Sequence, residues 1–385
     1  MLDELTKSKI LEEEKKHLDD VKEHTHKKVK YIKDYVYNWL FVAVGLNNSE
    51  RTNINFIDCT CNAGIYQDGT FGTPMEVLEL FIEFAEDYPN KNFNLFLNDY
   101  NENRIRILCK LINGTSYKQI NNIKIFLRNN DVNEYLNEIS NYQKVFDNNA
   151  MTILFIDPYN FGDVKIPNII NFTSKHYCEL IFNYFNSDYR RNIQNNTAKQ
   201  KQENMISSIT DLPGFKEGMN DKEILEVIKA NLKNKNINYV FCYTFRVGNG
   251  KGIDLYQLLY ATPNIKGLKL IKNSLWKIFS GDQYYKSPKI SKGQISLFND
   301  VEIEKINVQN YAVEASELLL EKYENQIVSY KEIQEFILEN TMLKNSHIIN
   351  GLLKPLIIEG KIIKKVPSGK RENNYTDSYY QILSE

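Results

Sequence analysis

The chain has 385 residues and carries 48 Lys and Arg against 49 Asp and Glu, a formal net charge of −1, so no whole-molecule field recruits nucleic acid and any such contact must come from local patches. Apolar residues make up 42% and charged residues 25%, the composition of an ordinary globular protein long enough for about two domains. The five cysteines have no metal-type spacing, and there is neither a leader nor a long apolar run; this excludes a zinc module and a membrane protein and points to a reduced, cytoplasmic chain.

Residues 1–28 are charged and helix-prone, with Leu11 and Leu18 on one thin apolar stripe, and predict an N-terminal helical arm. From Lys30, the apolar positions Ile32, Tyr35, Val36, Trp39 and Leu40 recur at helical spacing, and Gly45 to Ser49 end that helix. A strand over 54–58 ends in Asp58, a turn with Gly64, Gly69 and Gly72 fills 59–72, and a helix capped by Thr73 starts at Pro74. The same unit repeats. Strand 94–99 ends in Asn98-Asp99 before a helix at 105–112, and strand 123–127 ends in Asn129-Asn130-Asp131 before a helix at 132–139. The unbroken apolar run 151–156 ends in Asp157-Pro158-Tyr159-Asn160-Phe161-Gly162, and a helix at 166–172 leads to strand 179–184. Strands alternating with helices predict an α/β, doubly wound parallel sheet that binds its ligand at the carboxyl ends of the strands. Four successive strand ends carry an acid or amide, more than turn preference alone accounts for.

Residues 187–235 read as a helical insertion that opens with the basic pair Arg190 and Arg191. Strands at 239–245 and 256–261 flank a glycine turn and suit an antiparallel hairpin; a helix at 271–279 carries Trp276, and 281–303 is a polar link. Domain limits of 29–300 and 305–385 follow. The second domain predicts helices at 312–323, from Tyr330 with Ser329 and Glu332 at capping-box spacing, and at 345–359, then a hairpin of 361–366 and 375–383. Three helices and a β-hairpin are the parts of a winged helix. Its hairpin gathers Lys361, Lys364, Lys365, Lys370 and Arg371, a set that suits a phosphate backbone and is equally at home as a solvated face.

The chemistry of the strand ends is specific. A carboxylate after the second strand of such a sheet accepts from both ribose hydroxyls of an adenosine ligand, a role for Asn98 or Asp99, and Asp131 is placed to accept from the adenine amino group. The turn after Asp58, through Cys59, Ala63 and Gly64, brings backbone N–H groups to the rest of the ligand. There is no Walker lysine motif, which argues against ATP hydrolysis. Asp157-Pro158-Tyr159 resembles the Asp-Pro-Pro-Tyr type of amino-methyltransferase motif, in which an acid and a proline carbonyl accept from an exocyclic amine and the aromatic ring stacks on the base. Asp-Pro is also a plain turn; after a buried central strand the functional reading is favoured. Asp58, Asp131 and Asp157 as Mg²⁺ ligands of a nuclease rank last, because each acid ends a different parallel strand and no Asp…Glu-x-Lys pattern is present.

In order along the chain, the Lys30–Leu40 helix, Phe56-Ile57-Asp58-Cys59-Thr60-Cys61-Asn62-Ala63-Gly64, Gly72-Thr73-Pro74, Phe155 to Gly162, Glu179 to Tyr184 with Asp188 and Arg190, and Leu255 to Ala261 running on to Trp276 resemble the three-Cys-motif partner (TcmP) family. The resemblance implies a class I methyltransferase-like fold, S-adenosyl-L-methionine as cofactor and a three-cysteine, radical-SAM-like partner protein. The Cys59-Thr60-Cys61-Asn62 stretch departs from that family's glycine- and proline-rich turn, and Asn98-Asp99 stands where the family tends to have Glu. The leading expectation is a methyltransferase acting on an exocyclic base amine of nucleic acid. The alternative is a non-catalytic binding protein on the same scaffold, in a phage-defence or mobile-element setting, that works through its winged helix.

Overall fold

The computed structural model describes residues 2–21, 23–45, 51–142, 146, 150–159, 163–184, 208–247, 253–285 and 300–383. The chain forms two compact units, Met1–Val240 with Ile253–Asn264 and Phe241–Gly252 with Ile265–Glu385.

The first unit runs α1 (Glu4–Glu14), α2 (Glu23–Gly45), β1 (Asn53–Asp58), α3 (Thr73–Asp87), β2 (Asn92–Asn98), α4 (Glu102–Asn113), β3 (Ile123–Arg128), α5 (Val132–Ile139), β4 (Ala150–Ile156), α6 (Ile166–Lys175), β5 (Glu179–Tyr184) and α7 (Asp221–Leu232). Strand β6 (Tyr239–Val247) begins in this unit and β7 (Ile253–Thr262) belongs to it. Its strands lie in the order β3-β2-β1-β4-β5-β7. Pairs β1/β2, β1/β4, β2/β3 and β4/β5 are parallel, and β7 is antiparallel to β5. The chain enters β6 beside β7, Asn238 N–H donating to the Thr262 carbonyl at 3.1 Å. This is the Rossmann-like α/β sheet expected from the alternation of strands and helices. The order reverses between β1 and β4, so the loops after those strands leave in opposite directions and open a crevice at their carboxyl ends.

Strand β4 is buried at every position, as an apolar run at a sheet centre should be. On α2, Tyr31, Ile32, Tyr35, Val36, Trp39, Leu40 and Ala43 are all buried, the stripe of a helix laid on a sheet. A polar seam crosses the buried sheet: Asn94 Nδ2 donates to Asn55 Oδ1 at 2.9 Å and Asn55 Nδ2 to Thr152 Oγ1 at 3.1 Å, with Asn55 opposite both Asn94 and Thr152 in the ladder.

The second unit holds α8 (Ile265–Phe279), the short strand β8 (Tyr284–Tyr285), α9 (Asp300–Tyr323), β9 (Ile327–Ser329), α10 (Tyr330–Asn340), a helical run α11 of Asn345–His347, π-helical Ile348–Leu353 and Lys354–Ile358, then β10 (Ile362–Lys365) and β11 (Tyr379–Ile382). Strands β10, β11 and β9 make an antiparallel sheet in that order. Ser329 and Glu332 form the expected capping box of α10. Three differences from expectation have physical causes. Helix α9 starts at Asp300, inside the stretch read as a polar link, because its first apolar residues, Val301, Ile303, Ile306 and Val308, follow one another at two- and three-residue steps that trace no helical stripe. Strand β9 is three residues long, below what a period-two pattern can reveal. The division between units also falls elsewhere than at 300: α8 packs in the second unit, where Lys272 Nζ donates to the Leu343 carbonyl at 2.9 Å and Trp276 Nε1 to the Met342 carbonyl at 2.8 Å.

Candidate functional site

At the crevice between the ends of β1 and β4 lies a cavity of about 480 Å³. Asp58 ends β1 inside it, buried, with Oδ1 accepting the Thr60 N–H at 3.1 Å. Burial pushes its carboxyl well above the ordinary value; the Thr60 N–H opposes this, and the charges of Asp157 and Asp99 add to it. Thr60 Oγ1 in turn accepts the Asp157 N–H at 2.9 Å and stitches the β1 turn to the end of β4. The Asp157 carboxylate is held from both sides: Asn183 Nδ2 on β5 donates to Oδ1 at 2.7 Å, and Lys28 Nζ on α2 pairs with Oδ2. Asn183 Oδ1 is buried with no hydrogen-bond partner among the described residues. Lys28 Nζ also lies 5.9 Å from the centre of the Tyr256 ring on β7.

The turn after β1 is built from its own backbone. Cys59 N–H donates to the Phe155 carbonyl at 3.1 Å and Cys61 N–H to the Asn98 carbonyl at 2.8 Å. Both cysteines are buried, and burial pushes both thiols well above the ordinary value, so they act as small packing groups. Asn62 adopts φ 57°, a left-handed conformation asparagine tolerates, and donates its N–H to Asp99 Oδ2 at 3.0 Å. Gly64 has φ 78°, and a Cβ there would come within 2.6 Å of Leu108 Cδ1, so only glycine closes this turn against α4.

A strap crosses this turn. Glu14, at the end of α1, binds Arg106 through two contacts of 2.5 and 2.7 Å and Lys110 at 2.7 Å, which hold its carboxyl down at about 2. The chain then passes over the cavity, where Asp19 and Asp20 join its wall. Gln67 N–H donates to the Asp19 carbonyl at 3.1 Å and Gln67 Nε2 to the Leu18 carbonyl at 2.7 Å. The Asp19 carboxylate accepts from Asn62 Nδ2 at 2.9 Å, Arg104 Nη2 at 3.1 Å and Tyr159 Oη at 2.7 Å. The Arg104 guanidinium lies over the Tyr159 ring, 4.1 Å from its centre.

Of the residues singled out from sequence, Asp58, Gly64, Asp157, Pro158 and Tyr159 line one cavity. Cys59, Ala63, Asn98, Asp99 and Asp131 are not among its lining residues. Asn98 is committed as a clamp: Nδ2 donates to the Cys59 and Asn130 carbonyls, both at 3.0 Å, and Oδ1 accepts the Asn130 N–H at 3.1 Å. Asp99 is 4% exposed, and besides Asn62 it accepts the Asn101 N–H at 2.8 Å. Asp131 caps α5 through the N–H groups of Asn133 and Glu134. Arg190 and Arg191 lie outside the described residues. On the β10–β11 hairpin, Lys361 pairs with Glu359 at 3.2 Å, Lys370 with Asp377 at 2.9 Å, and Lys364 donates to the Glu372 carbonyl above the Tyr375 ring; Lys365 and Arg371 are exposed.

Sequence reasoning missed Asp19, Lys28, Thr60, Arg104 and Asn183. Lys28 did carry a signal: it lies one turn before Ile32 on the buried stripe of α2, where a lysine is out of place unless it meets an acid. Among the described residues no group of three or more His, Cys, Asp and Glu side chains could hold a metal ion. No described helix is long and apolar enough to cross a membrane.

No protein-family model matches the chain, and no curated protein matches it. Solved structures similar to it include protein LPL1258 from Legionella pneumophila str. Philadelphia 1, family-model DUF519, at 14% identity and a TM-score of 0.36 over 65% of this chain and 92% of that one. Another is the methyltransferase domain of bacterial CtHen1-C, at 10% identity and a TM-score of 0.26 over 59% of this chain and 98% of that one.

Proposed function

We propose that this chain is an S-adenosylmethionine-dependent methyltransferase of the class I type, acting on an exocyclic amine of a nucleic-acid base. The observation that carries the reading is the charge of the cavity at the strand-order reversal. Four carboxyl side chains line it, Asp19, Asp20, Asp58 and Asp157, against the single amine of Lys28; burial biases Asp58 toward its neutral form and Asp19 is spent on Arg104 and Tyr159. S-adenosylmethionine carries a sulfonium and an ammonium against one carboxylate, so an acidic crevice at that point of the sheet suits it. When bound, it supplies an electrophilic methyl group.

The residues present fit the group at one end. The buried thiols of Cys59 and Cys61 and the left-handed Asn62 and Gly64 leave a compact turn, so replacement of the family's glycine- and proline-rich sequence has not filled the cavity. In this reading the 58–64 turn takes the methionine end, and Asp99 and Asp131 flank the nucleoside end. The Asp157 carboxylate, oriented by Lys28 and Asn183, and the Pro158 carbonyl accept from the amine and aim its lone pair, while the half-exposed Tyr159 ring stacks on the base. Positioning of this kind needs no strong base. The second unit, with its α-β-α-α-β-β order, reads as a winged helix whose hairpin meets a phosphate backbone. Membership of the TcmP family, with a three-cysteine partner protein, rests on the motif order alone.

Isothermal titration with S-adenosylmethionine tests the reading directly. Saturable binding is expected, with loss in Asp58→Asn; no heat up to millimolar ligand overturns it. The committed Asn98 and covered Asp99 favour one second reading, a scaffold that has given up catalysis and acts as a binding protein. Labelled methyl transfer to RNA or DNA separates the two.

A further inference from the structure

A groove on the second unit stands apart from all of this. Along α9, Val313, Glu317, Leu320 and Glu321 recur at three- and four-residue intervals on one face of the helix, and Glu324 follows in the turn just past its end. That face does not enter the core: Ala315 and Leu319 do, whereas Val313 is 62% exposed. Opposite it stand Leu356 of α11, Glu359 and Leu383 just past the end of β11, and the space between is about 550 Å³. The floor is apolar and the rim carries four glutamates. Its one lysine, Lys361, is already paired with Glu359 at 3.2 Å. Among the described residues Glu317, Glu321 and Glu324 have no ion-pair partner.

We propose that this groove docks a cationic amphipathic helix of a partner protein, its leucine-type anchors on Val313 and Leu320 and its lysines or arginines on Glu317, Glu321 and Glu324. The length agrees: Val313 to Glu324 spans about three turns, ~16 Å, the reach of the anchor pattern of a helix laid in a groove. The charge also chooses among occupants. A nucleic acid is repelled by this rim, so the basic hairpin and the acidic groove address different partners.

The test uses the full chain and a fluorescein-labelled peptide of about five helical turns with leucines on one face and lysines on the other, read by anisotropy. Saturable binding that weakens with salt is expected, with no binding of the same peptide carrying glutamates for lysines. Glu317→Lys with Glu321→Lys should weaken it at least about tenfold, about 1.4 kcal/mol. Glu83→Lys with Glu86→Lys, the same charge change on exposed positions of α3 in the first unit, should leave it within about twofold. Val313→Ser, which keeps the charge, should weaken it by about threefold. All these positions are on the surface, and matching thermal melts establish that the variants fold. The proposal is overturned if both charge pairs lose binding equally, if both peptides bind, or if neither binds. A self-association seen by sedimentation and abolished by the Glu317/Glu321 pair also overturns it, because it gives the groove to a second copy.

Discussion

The first unit buries carboxylates at both ends of its sheet, to opposite effect. At the carboxyl end, Asp58 and Asp157 face a cavity, Lys28 pairs with Asp157, and Asn183, bonded to Asp157, keeps an unsatisfied buried oxygen. At the amino end of β5, Glu179 is sealed. Tyr260 Oη donates to its Oε2 at 2.7 Å, Tyr35 Oη donates to the same oxygen, and Thr262 Oγ1 to Oε1 at 3.3 Å. Burial pushes Glu179 up to about 7, with the Tyr260 and Thr262 hydroxyls opposing. Burial and a raised pKa are common to Asp58 and Glu179; what separates them is space for a ligand. A perturbed carboxyl alone is therefore a poor guide to a site, and the neighbouring cavity and orphaned polar atoms carry the distinction.

The sharpest way to break the comparison is to remove the sealed acid. Glu179→Ala takes the shared acceptor from two tyrosine hydroxyls, leaving them only each other at 2.9 Å, and should cost roughly 2 kcal/mol in urea unfolding, with ligand affinity per folded molecule unchanged. A loss of binding at equal stability would make the two ends one system. Next comes pH. Glu179 holds its proton in the folded state up to about 7, against 4.5 when unfolded. Its contribution is thus fully present below pH 4.5 and is lost as pH rises through 7, a total of roughly 3 kcal/mol at most. Glu179→Gln should flatten stability over that window in thermal melts; an unchanged profile would show that another group titrates there. At the other end, Asp58→Asn should weaken S-adenosylmethionine at least about tenfold, about 1.4 kcal/mol, with a melting temperature no lower than that of the parent, because burial already favours the uncharged form. Unaltered affinity would remove Asp58 from the site. The smallest effect is at the strap. Asp19→Ala frees Arg104 and Tyr159 and should tighten the same ligand by about threefold, below 1 kcal/mol; weaker binding would make Asp19 a ligand contact instead of a latch.

The sheet was legible because each strand and helix carries its own period and each turn its own stop signal: β1, β2, β4 and β5 lie within two residues of their expected limits. The Asp58, Asp157 and Tyr159 cluster was legible because parallel strands must end at one edge. The strap was not. Asp19 sits in a polar arm whose docking depends on Gln67, Arg104 and Arg106, residues 48 to 92 positions away, and no local pattern encodes such a meeting. Nor could sequence tell that Asn98 would spend all its bonds on two turns, since an asparagine at a strand end reads the same whether it clamps backbone or faces a ligand.

The seam of Asn94, Asn55 and Thr152 has a consequence for how the sheet is assembled. A slip of β2 or β4 by one residue against β1 would still bury apolar side chains, because β4 is apolar but for Thr152 and β2 carries Phe93, Leu95, Phe96 and Leu97. It would, however, leave amides facing hydrocarbon with no partner. Three modest side chains thereby act as a key that only one alignment turns. That alignment is the one that brings Asp58 level with Phe155, two residues from Asp157, so the accuracy of the crevice is set by side chains deep in the core.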